Sequence, residues 1–305
     1  MLLPNFTYLE PHSLDEACNL LASHEKDGSR ILAGGTDILV DLKQRIFQRD
    51  QRMTDVAFIV SICRIPELYR IDVTDSTITI GSLVTMTQVT EHPAINLHLQ
   101  GLVDGAMAVG SPLVRNRGTL AGNIANSRPA ADTAGPTIAL GGVVIAQGIN
   151  GERRISASEF FTGPGRNVLQ HDEIIRAIEF PVSKKRKGSA YVKLAVRKAL
   201  DISIVGVSSF IELNNDSTFS DACVCLTSVG PTPIVSLKAR DAILGKELSE
   251  EVLNSAGEAA QSDARPIDDY RGSAWYRREM CGVLTKRMLR KSFERAMKSN
   301  GEMRG

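Results

Sequence analysis

The chain has 305 residues, of which 43% are hydrophobic, and its formal net charge is +1. This length is long for one hydrophobic core, so two or three folded units are expected, and the near-neutral charge gives no electrostatic basis for binding nucleic acid or a membrane surface. No apolar run reaches the length of a membrane span, and the N-terminus lacks the charged and apolar regions of a signal peptide.

The first elements alternate between helix and strand. A helix is predicted over 13–21, with Ser13 as its N-cap and Glu16 completing a capping box. A short strand from Arg30 then leads into the turn 34–37, Gly-Gly-Thr-Asp, and a second helix. Such a turn is an anion site in principle, because free N–H groups and the positive end of the helix dipole coincide there. The turn lacks the spacing of a Rossmann fingerprint or a P-loop, so alone it is most often only a turn.

Hydrophobic periodicity and turn residues predict the elements that follow. They are a strand over 57–61, a hairpin of 68–71 and 77–81, helices over 85–91 and 97–109, a hairpin of 140–149 and 152–155, and a strand over 173–180. The turn of the second hairpin is Asn150-Gly151, a strong signal for a tight β-turn.

A long stretch from Val109 to Pro136 is the most unusual part of the sequence. It is poor in large apolar residues and rich in small and polar ones, namely Gly110, Gly118, Thr119, Gly122, Asn123, Ser127 and Asp132. Glycine lets a backbone approach a ligand and present N–H groups to an anion, while threonine, asparagine and aspartate add side-chain hydrogen bonds. The stretch is therefore interpreted as a phosphate- and sugar-binding surface, followed by a helix over about 132–140.

A second domain is expected after a polar, basic linker at 183–188. Strands are predicted over 190–196, 203–213 and 219–229 as one three-stranded antiparallel sheet, and helices over 234–244, 249–262 and 273–299. The fold class is α+β, with domains over 1–182 (subdomains about 1–60 and 61–182) and 188–305.

The chain shows no catalytic constellation of its own. There is no G-x-S-x-G or H-E-x-x-H motif, and the five histidines lie in polar or turn-like surroundings. The five cysteines are scattered and form no Cys-x-x-Cys pair, so neither a disulfide framework nor a metal site is expected, and a reducing cytoplasm fits. Two Gly/Thr/Asn/Asp-rich loops about eighty residues apart suit a long diphosphate ligand, which points to a cofactor that carries the chemistry.

Lys193 is a third candidate, on the first strand of the second domain. Arg197 and Asp201 follow it at four-residue intervals. A lysine at the pyrimidine edge of a flavin would stabilise negative charge as the ring is reduced. Without further context, a solvated Lys193 and a surface ion pair between Arg197 and Asp201 are the favoured interpretation.

Taken together, the motifs resemble those of a known family. The segment 32–38, Leu-Ala-Gly-Gly-Thr-Asp-Ile, resembles the first FAD loop of the FAD-binding medium subunit of the molybdenum hydroxylases, the xanthine dehydrogenase and aerobic carbon monoxide dehydrogenase family. The segment 114–132 resembles the second FAD loop, and Lys193-x-x-x-Arg197-x-x-x-Asp201 resembles the opening of the C-terminal domain. Gly-Pro-Thr-Pro at 230–233 and the segment 269–277 resemble later signatures, so five motifs occur in the right order over nearly the whole chain.

The resemblance implies a fold, a cofactor and partners. It implies a two-subdomain FAD-binding domain of the vanillyl-alcohol-oxidase (PCMH) type and an electron-transfer subunit without catalytic residues. Electrons would arrive from [2Fe–2S] clusters on a small partner subunit and leave to an external acceptor, while a large partner subunit would carry the molybdopterin. The assembly implied is a dimer of heterotrimers in the cytoplasm. No [4Fe–4S] cluster is expected, because the cysteine-bearing insertion of one branch of the family is absent.

The resemblance also implies site residues. Ala33, Gly34, Gly35, Thr36 and Asp37, together with the segment from Thr119 to Asn123, would hold the FAD diphosphate. Asp132 would bind the ribityl or ribose hydroxyls, Ile38 would pack near the isoalloxazine, and Lys193 would approach its pyrimidine edge. The expected cofactor-binding residues are Leu32, Ala33, Gly34, Gly35, Thr36, Asp37, Ile38, Val109, Gly110, Thr119, Ala121, Gly122, Asn123, Asp132, Ile175 and Lys193.

One departure from the family pattern matters. The second loop usually reads Thr-Ile-Gly-Gly, whereas here it is Thr119-Leu-Ala-Gly, so Ala121 would be strained if that position required a positive φ. Two alternatives stay open at this point: a stand-alone FAD-dependent oxidoreductase of the same fold, and a structural subunit that has lost its flavin.

Overall fold

The N-terminal part of the chain forms a small parallel sheet. The computed structural model describes residues 3–26, 28–48, 56–183, 185–197 and 199–302; Lys184, within the predicted linker, lies outside them. The first elements are β1 (Thr7–Leu9), α1 (Leu14–Ser23), β2 (Ser29–Leu32), α2 (Ile38–Gln48) and β3 (Phe58–Ser61). The strand order is β1-β3-β2, with both pairs parallel. The predicted cap is present, since the Glu16 N–H donates to Ser13 Oγ over 3.2 Å.

A five-stranded antiparallel sheet follows, with helices inserted between its strands. Its elements are β4 (Ile71–Val73), β5 (Thr77–Gly81), α3 (Met86–Glu91), α4 (Pro93–His98), α5 (Gln100–Ala108), α6 (Pro112–Arg115), α7 (Leu120–Asn126), α8 (Ala134–Ala139), β6 (Val143–Gly148), β7 (Gly151–Ser156), α9 (Ala157–Phe160), β8 (Phe161–Gly163), β9 (Arg166–Asn167) and β10 (Ile174–Pro181). The strand order is β4-β5-β10-β6-β7, and β8 pairs with β9 apart from it. The strand β10 comes last among these five in the sequence, but it pairs with both β5 and β6. It is therefore the central strand of the sheet.

The predicted helix over 97–109 is two helices. Pro93 begins α4, which ends at His98, and α5 starts at Gln100. Leu99 lies between them with φ −125° and ψ 44°, and its side chain is fully buried. The buried leucine packs into the core at the bend, which a helical period alone does not reveal.

The second domain contains β11 (Arg186–Leu194), β12 (Val205–Leu213), β13 (Phe219–Thr227), β14 (Ile234–Val235), α10 (Leu237–Ile243), α11 (Glu250–Asp263) and α12 (Ala274–Glu302). The prediction of a three-stranded sheet is wrong, because β14 adds a fourth strand beside β13. Ser236 Oγ accepts from the Ala239 N–H and starts α10 at Leu237. Ile234 and Val235, predicted as helix, are therefore left extended and pair with Leu226 and Cys225.

The two domains are joined by polar contacts to the segment between α5 and α8. Asp104 on α5 receives hydrogen bonds from Lys291 and Arg295 of α12, at 3.1 and 2.7 Å to Oδ2. Farther along, the Leu200 N–H donates to the Gly110 carbonyl, and the Ser228 N–H donates to the Pro129 carbonyl. The second domain thus holds the glycine-rich stretch in place. Within the described part of the chain, no helix combines the length and apolar character needed to cross a membrane.

Candidate functional site

A cavity of about 1310 Å³ opens in the first domain. Its wall combines the turn after β2, Val114 of α6, residues along the whole of α7, the loop between β8 and β9, and Pro231 from the second domain. Pockets for drug-sized ligands measure roughly 300–1,000 Å³. The cavity is therefore large enough for a ligand of dinucleotide size.

The first glycine-rich loop lines this cavity and contains backbone N–H groups without a protein acceptor. Gly35 has φ +78°, in the left-handed region that favours glycine. Among the described residues, the N–H groups of Gly34, Gly35 and Thr36 donate to no protein acceptor. The Leu39 N–H donates to the Gly35 carbonyl, so α2 starts directly after the loop. The loop thus offers donors and the positive end of an eleven-residue helix in one place.

The second loop is the start of α7. Thr119 is the N-cap, and its Oγ1 accepts from the Gly122 N–H over 3.0 Å. The Met86 N–H donates to the Gly118 carbonyl, which ties the loop to α3. Ala121 is buried within α7 and is not among the described residues with positive φ. The backbone strain that a positive φ would have caused at Ala121 is therefore absent, because this part of the loop is helical.

The two loops touch each other. A Cβ on Gly34 would lie 1.9 Å from the Arg117 carbonyl oxygen, and one on Gly118 would lie 3.4 Å from Thr36 Oγ1. Loops that are separated by about eighty residues in sequence therefore form one continuous surface. Unpartnered N–H groups on a concave surface are the arrangement that binds phosphate oxygens, so the residues present fit a diphosphate.

Charged side chains line the cavity beside the first loop. Arg128 donates to both carboxylate oxygens of Asp41, at 3.0 and 2.9 Å. Burial raises the pKa of Asp37, while the nearby Arg128 opposes that rise. The pair joins α2 to the segment after α7, so it links the two loops at the wall of the cavity.

Asp132 and Lys193 form a pair next to the cavity wall. Lys193 Nζ donates to Asp132 Oδ2 over 2.7 Å and to the Ala108 carbonyl over 3.3 Å, and the Tyr191 hydroxyl donates to Asp132 Oδ1 over 2.8 Å. Burial raises the pKa of the Asp132 carboxyl, and the charge and hydrogen bond of Lys193 oppose the rise. Burial also raises the pKa of Tyr191 well above its usual value. These contacts hold one domain against the other.

Most of the residues predicted from the sequence lie together in the cavity wall. Those that line it are Ala33, Gly34, Gly35, Thr36, Asp37, Ile38, Val109, Thr119, Ala121, Gly122, Asn123 and Ile175. Leu32, Gly110, Asp132 and Lys193 are not in the wall. The flavin contacts expected of Asp132 and Lys193 stay predictions.

Sequence reasoning missed several residues of the wall. His171 Nε2 lies 2.7 Å from Ser29 Oγ, and both line the cavity. The loop 162–167 also lines it, and Gly165 there has φ +68°. The Gly-Pro-Gly run at 163–165 was a usable signal, because such runs mark tight turns that a rigid scaffold can place at a site. The pairing of Ser29 with His171, far apart in sequence, left no local signal. Among the described residues, no three His, Cys, Asp or Glu side chains come together as metal ligands.

Comparison with known proteins covers both domains. Residues 4–183 match the family model described as the FAD binding domain in molybdopterin dehydrogenase, and residues 190–292 match the CO dehydrogenase flavoprotein C-terminal domain. The carbon monoxide dehydrogenase medium chain of Hydrogenophaga pseudoflava is 32% identical over 97% of this chain and 99% of its own. The putative xanthine dehydrogenase FAD-binding subunit of Escherichia coli K12 is 33% identical over 93% of this chain and 94% of its own.

Solved structures agree with the sequence relatives. A structure of the Hydrogenophaga pseudoflava carbon monoxide dehydrogenase superposes with a TM-score of 0.90 at 32% identity, covering 97% of this chain and 99% of the other. Quinoline 2-oxidoreductase from Pseudomonas putida 86 superposes with a TM-score of 0.88 at 26% identity, covering 97% and 100%. The match of both domains, in order and nearly end to end, shows that this chain belongs to the family of FAD-binding medium subunits of the molybdenum hydroxylases.

Proposed function

We propose that this chain is the FAD-carrying electron-transfer subunit of a multi-subunit molybdenum hydroxylase. It takes electrons from [2Fe–2S] clusters of a small partner subunit and passes them to an external acceptor, while a large partner subunit carries the molybdopterin. The observation that supports this most is the continuous surface that the two glycine-rich loops form in the wall of a large cavity, with unpartnered N–H groups in the first loop.

Different residues of the cavity wall would hold different parts of FAD. The N–H groups of Gly34, Gly35 and Thr36 face the anionic diphosphate, and the positive end of α2 adds to their field. Ile38, Val109 and Ile175 supply apolar wall that excludes water from the ring system. When bound, FAD supplies chemistry that accepts electrons singly or in pairs, which suits a junction between one-electron clusters and a varied acceptor.

The substrate of the complex is not determined by this chain. Relatives of similar identity are named for different substrates: the nicotinate dehydrogenase FAD-subunit of Eubacterium barkeri is 29% identical, and the nicotine 6-hydroxylase medium subunit of Paenarthrobacter nicotinovorans is 31% identical. That relatives of similar identity belong to complexes named for different substrates supports electron transfer, rather than hydroxylation, as the role of this chain.

The finer features of the assembly belong to the same proposal. We propose a dimer of heterotrimers in the cytoplasm, and domains over 1–182 (subdomains about 1–60 and 61–182) and 188–305. The three-stranded and five-stranded sheets support the two subdomains, and the described cysteines, all free thiols, suit a reducing compartment. A stand-alone oxidoreductase and a flavin-free structural subunit are not favoured, because the relatives are subunits named for FAD or for a medium chain.

Purification tests the proposal directly. The chain is co-expressed with its partner subunits, and flavin, molybdenum and iron are measured in the complex. About one FAD per chain is expected, with reduction of the flavin when the substrate of the complex is added. A chain without flavin absorbance even after incubation with FAD would contradict the proposal, and turnover by the chain alone would support the stand-alone alternative.

A further inference from the structure

Two sequence signatures of the second domain meet at one buried side chain. They are Gly-Pro-Thr-Pro at 230–233 and the segment 269–277, and neither contains a residue expected to touch FAD. Arg277, the last residue of the second signature, is 1% exposed and lies in the first turn of α12. Burying a cation is costly unless hydrogen bonds and a counter-charge compensate it, so its partners show what it holds.

The guanidinium of Arg277 reaches backbone carbonyls from three separate segments. Nε donates to the Ile204 carbonyl over 3.2 Å, Nη1 donates to the Ile267 carbonyl over 2.8 Å, and Nη2 donates to the Ser228 carbonyl. Nη1 also lies 3.3 Å from Asp269 Oδ2, so that carboxylate balances the buried charge. Because the donors of arginine form a rigid planar fork, the side chain fixes the positions of these segments relative to one another.

Ser228 connects Arg277 to the cavity. It directly follows β13, and its φ of +65° lies in the left-handed region, which is costly for serine. Its carbonyl accepts from Arg277, and its N–H donates to the Pro129 carbonyl over 2.9 Å. A strained residue keeps its conformation only where its surroundings impose it, so the hydrogen bond from Arg277 helps to direct the Ser228 N–H toward Pro129.

The turn after β13 continues into the cavity wall. It comprises residues 228–231 and is called here the β13 turn. The Arg265 N–H donates to the Val229 carbonyl over 2.8 Å, which holds the middle of the turn. Pro231 at its end lines the cavity, as Pro129 does from the first domain. The β13 turn is thus held by the second domain and forms part of the wall.

The chemistry of Arg277 indicates a requirement for geometry. An apolar side chain of similar volume would fill the same space without the cost of burying a charge, and such replacements are often neutral or stabilising. Only a side chain with several fixed donors specifies the directions of three carbonyls at once. The buried guanidinium is therefore best explained by the need to hold the β13 turn in one conformation.

On these grounds, and resting on the proposed function, we propose that Arg277 is a positioning residue for FAD. It does not line the cavity itself and acts through the β13 turn. The Ser228 N–H sets the position of Pro129, and the same turn carries Pro231 into the wall. The two signatures of the second domain then form one unit that shapes the cofactor site of the first.

The first test substitutes Arg277 in this chain. Arg277→Met removes every hydrogen bond of the side chain, whereas Arg277→Lys keeps the cation but lacks the planar fork. We expect the Kd of the apoprotein for FAD, measured by fluorescence titration, to rise by about tenfold in Arg277→Met and by less in Arg277→Lys. The visible circular dichroism of the bound flavin at saturation should change as well, because the wall around it is displaced.

Leu253→Ala separates this effect from a general loss of stability. Leu253 is buried in α11, which does not line the cavity, and its truncation leaves a hole in the core of the second domain. Urea unfolding should show a loss of stability, while the Kd for FAD and the flavin spectrum match those of wild type. A Kd raised as much in Leu253→Ala as in Arg277→Met would overturn the proposal, and so would a wild-type Kd in both Arg277 variants.

A second pair of variants tests the β13 turn without altering the core. Pro231→Ala removes part of the cavity wall and is expected to raise the Kd for FAD by about fivefold. Pro233→Ala, in the same signature but outside the wall, is the matched control and should keep the wild-type Kd. If the Arg277 variants do not fold, an unchanged Kd in Pro231→Ala overturns the proposal. Failure of the proposed function has a different signature, because the wild-type chain itself would then not bind FAD.

Discussion

At the scale of single residues, Gly34 is the point where the two loops touch. A Cβ there would lie 1.9 Å from the Arg117 carbonyl oxygen, so Gly34→Ala must push the loops apart. We expect a cost of about 1–3 kcal/mol in the free energy of unfolding, typical of overpacking, together with a weaker FAD complex. Fluorescence titration of the apoprotein with FAD and urea unfolding measure the two effects. Gly163→Ala is the control, since a Cβ on that glycine of the same cavity would meet nothing closer than 3.9 Å; an equal loss in both variants would contradict the loop-contact explanation.

Asp269 gives a prediction for pH. Hydrogen bonds from Arg271 lower the pKa of this carboxyl from 3.8 to about 2. Because the folded state favours the ionised form, the stabilisation is complete above the unfolded pKa and is lost as the pH falls through the folded one. In wild type, part of the stability lost between about pH 5 and about pH 2.5 therefore comes from Asp269, and Asp269→Asn should show a smaller loss over that window. Urea midpoints at both pH values provide the measurement. Asp75→Asn, at the exposed turn between β4 and β5, is expected to keep the wild-type difference.

At the scale of elements, the cap of α7 serves both structure and site. Thr119 Oγ1 accepts from the Gly122 N–H in the cavity wall, and Ser249 Oγ accepts from the Val252 N–H in the same way at the start of α11. Thr119→Ala and Ser249→Ala should each cost about 1 kcal/mol of stability. Only Thr119→Ala should also weaken FAD binding, because α7 lines the cavity and α11 does not. Parallel FAD titrations of the two variants measure this difference. Equal losses of affinity would contradict a specific role of the Thr119 cap in FAD binding.

Local chemistry made many of the elements predictable. Asn150-Gly151 predicted the hairpin but not the position of its turn: the two loop residues are Ile149 and Asn150, and Gly151, with φ +101°, is the first residue of β7. Thr85 and Gln88 form the complete capping box that marks the start of α3. The strand β14 was not predictable in this way, because its two residues form a strand only through pairing with Leu226 and Cys225. Propensity in a short window carries no information on such an edge contact.

In the candidate site, too, local sequence predicted the individual segments but not the contacts between them. Both glycine-rich loops carried a signal in their composition, and the structure brings them together. That Gly34 rests on the Arg117 carbonyl follows from the packing of the whole domain and cannot be derived from either loop. Likewise, the partnership of Asp132 with Lys193 spans two domains, so neither segment alone indicated a buried pair.

At the scale of the whole molecule, Asp132 and Lys193 couple the two domains. Lys193→Met would leave the buried carboxylate without its cation and is expected to cost about 3 kcal/mol. Adding Asp132→Asn should recover part of this loss, with a coupling energy of about 1–3 kcal/mol in a double-mutant cycle from urea unfolding. The exposed pair of Arg176 and Glu152 is the control, with an expected coupling below about 1 kcal/mol. Strict additivity at Asp132 and Lys193 would contradict the coupling.

The segment from Pro129 to Asp132 has a thermodynamic consequence. One end of it borders the cavity, while its carbonyl and carboxylate are held by Ser228, Tyr191 and Lys193 of the other domain. A ligand that orders this segment from the cavity side also favours the segment's hydrogen bonds to the second domain. By linkage, those hydrogen bonds in turn favour binding of the ligand. Saturation with the nucleotide should thus slow amide exchange in the distant strand β11, and loosening that strand should hasten the escape of the nucleotide.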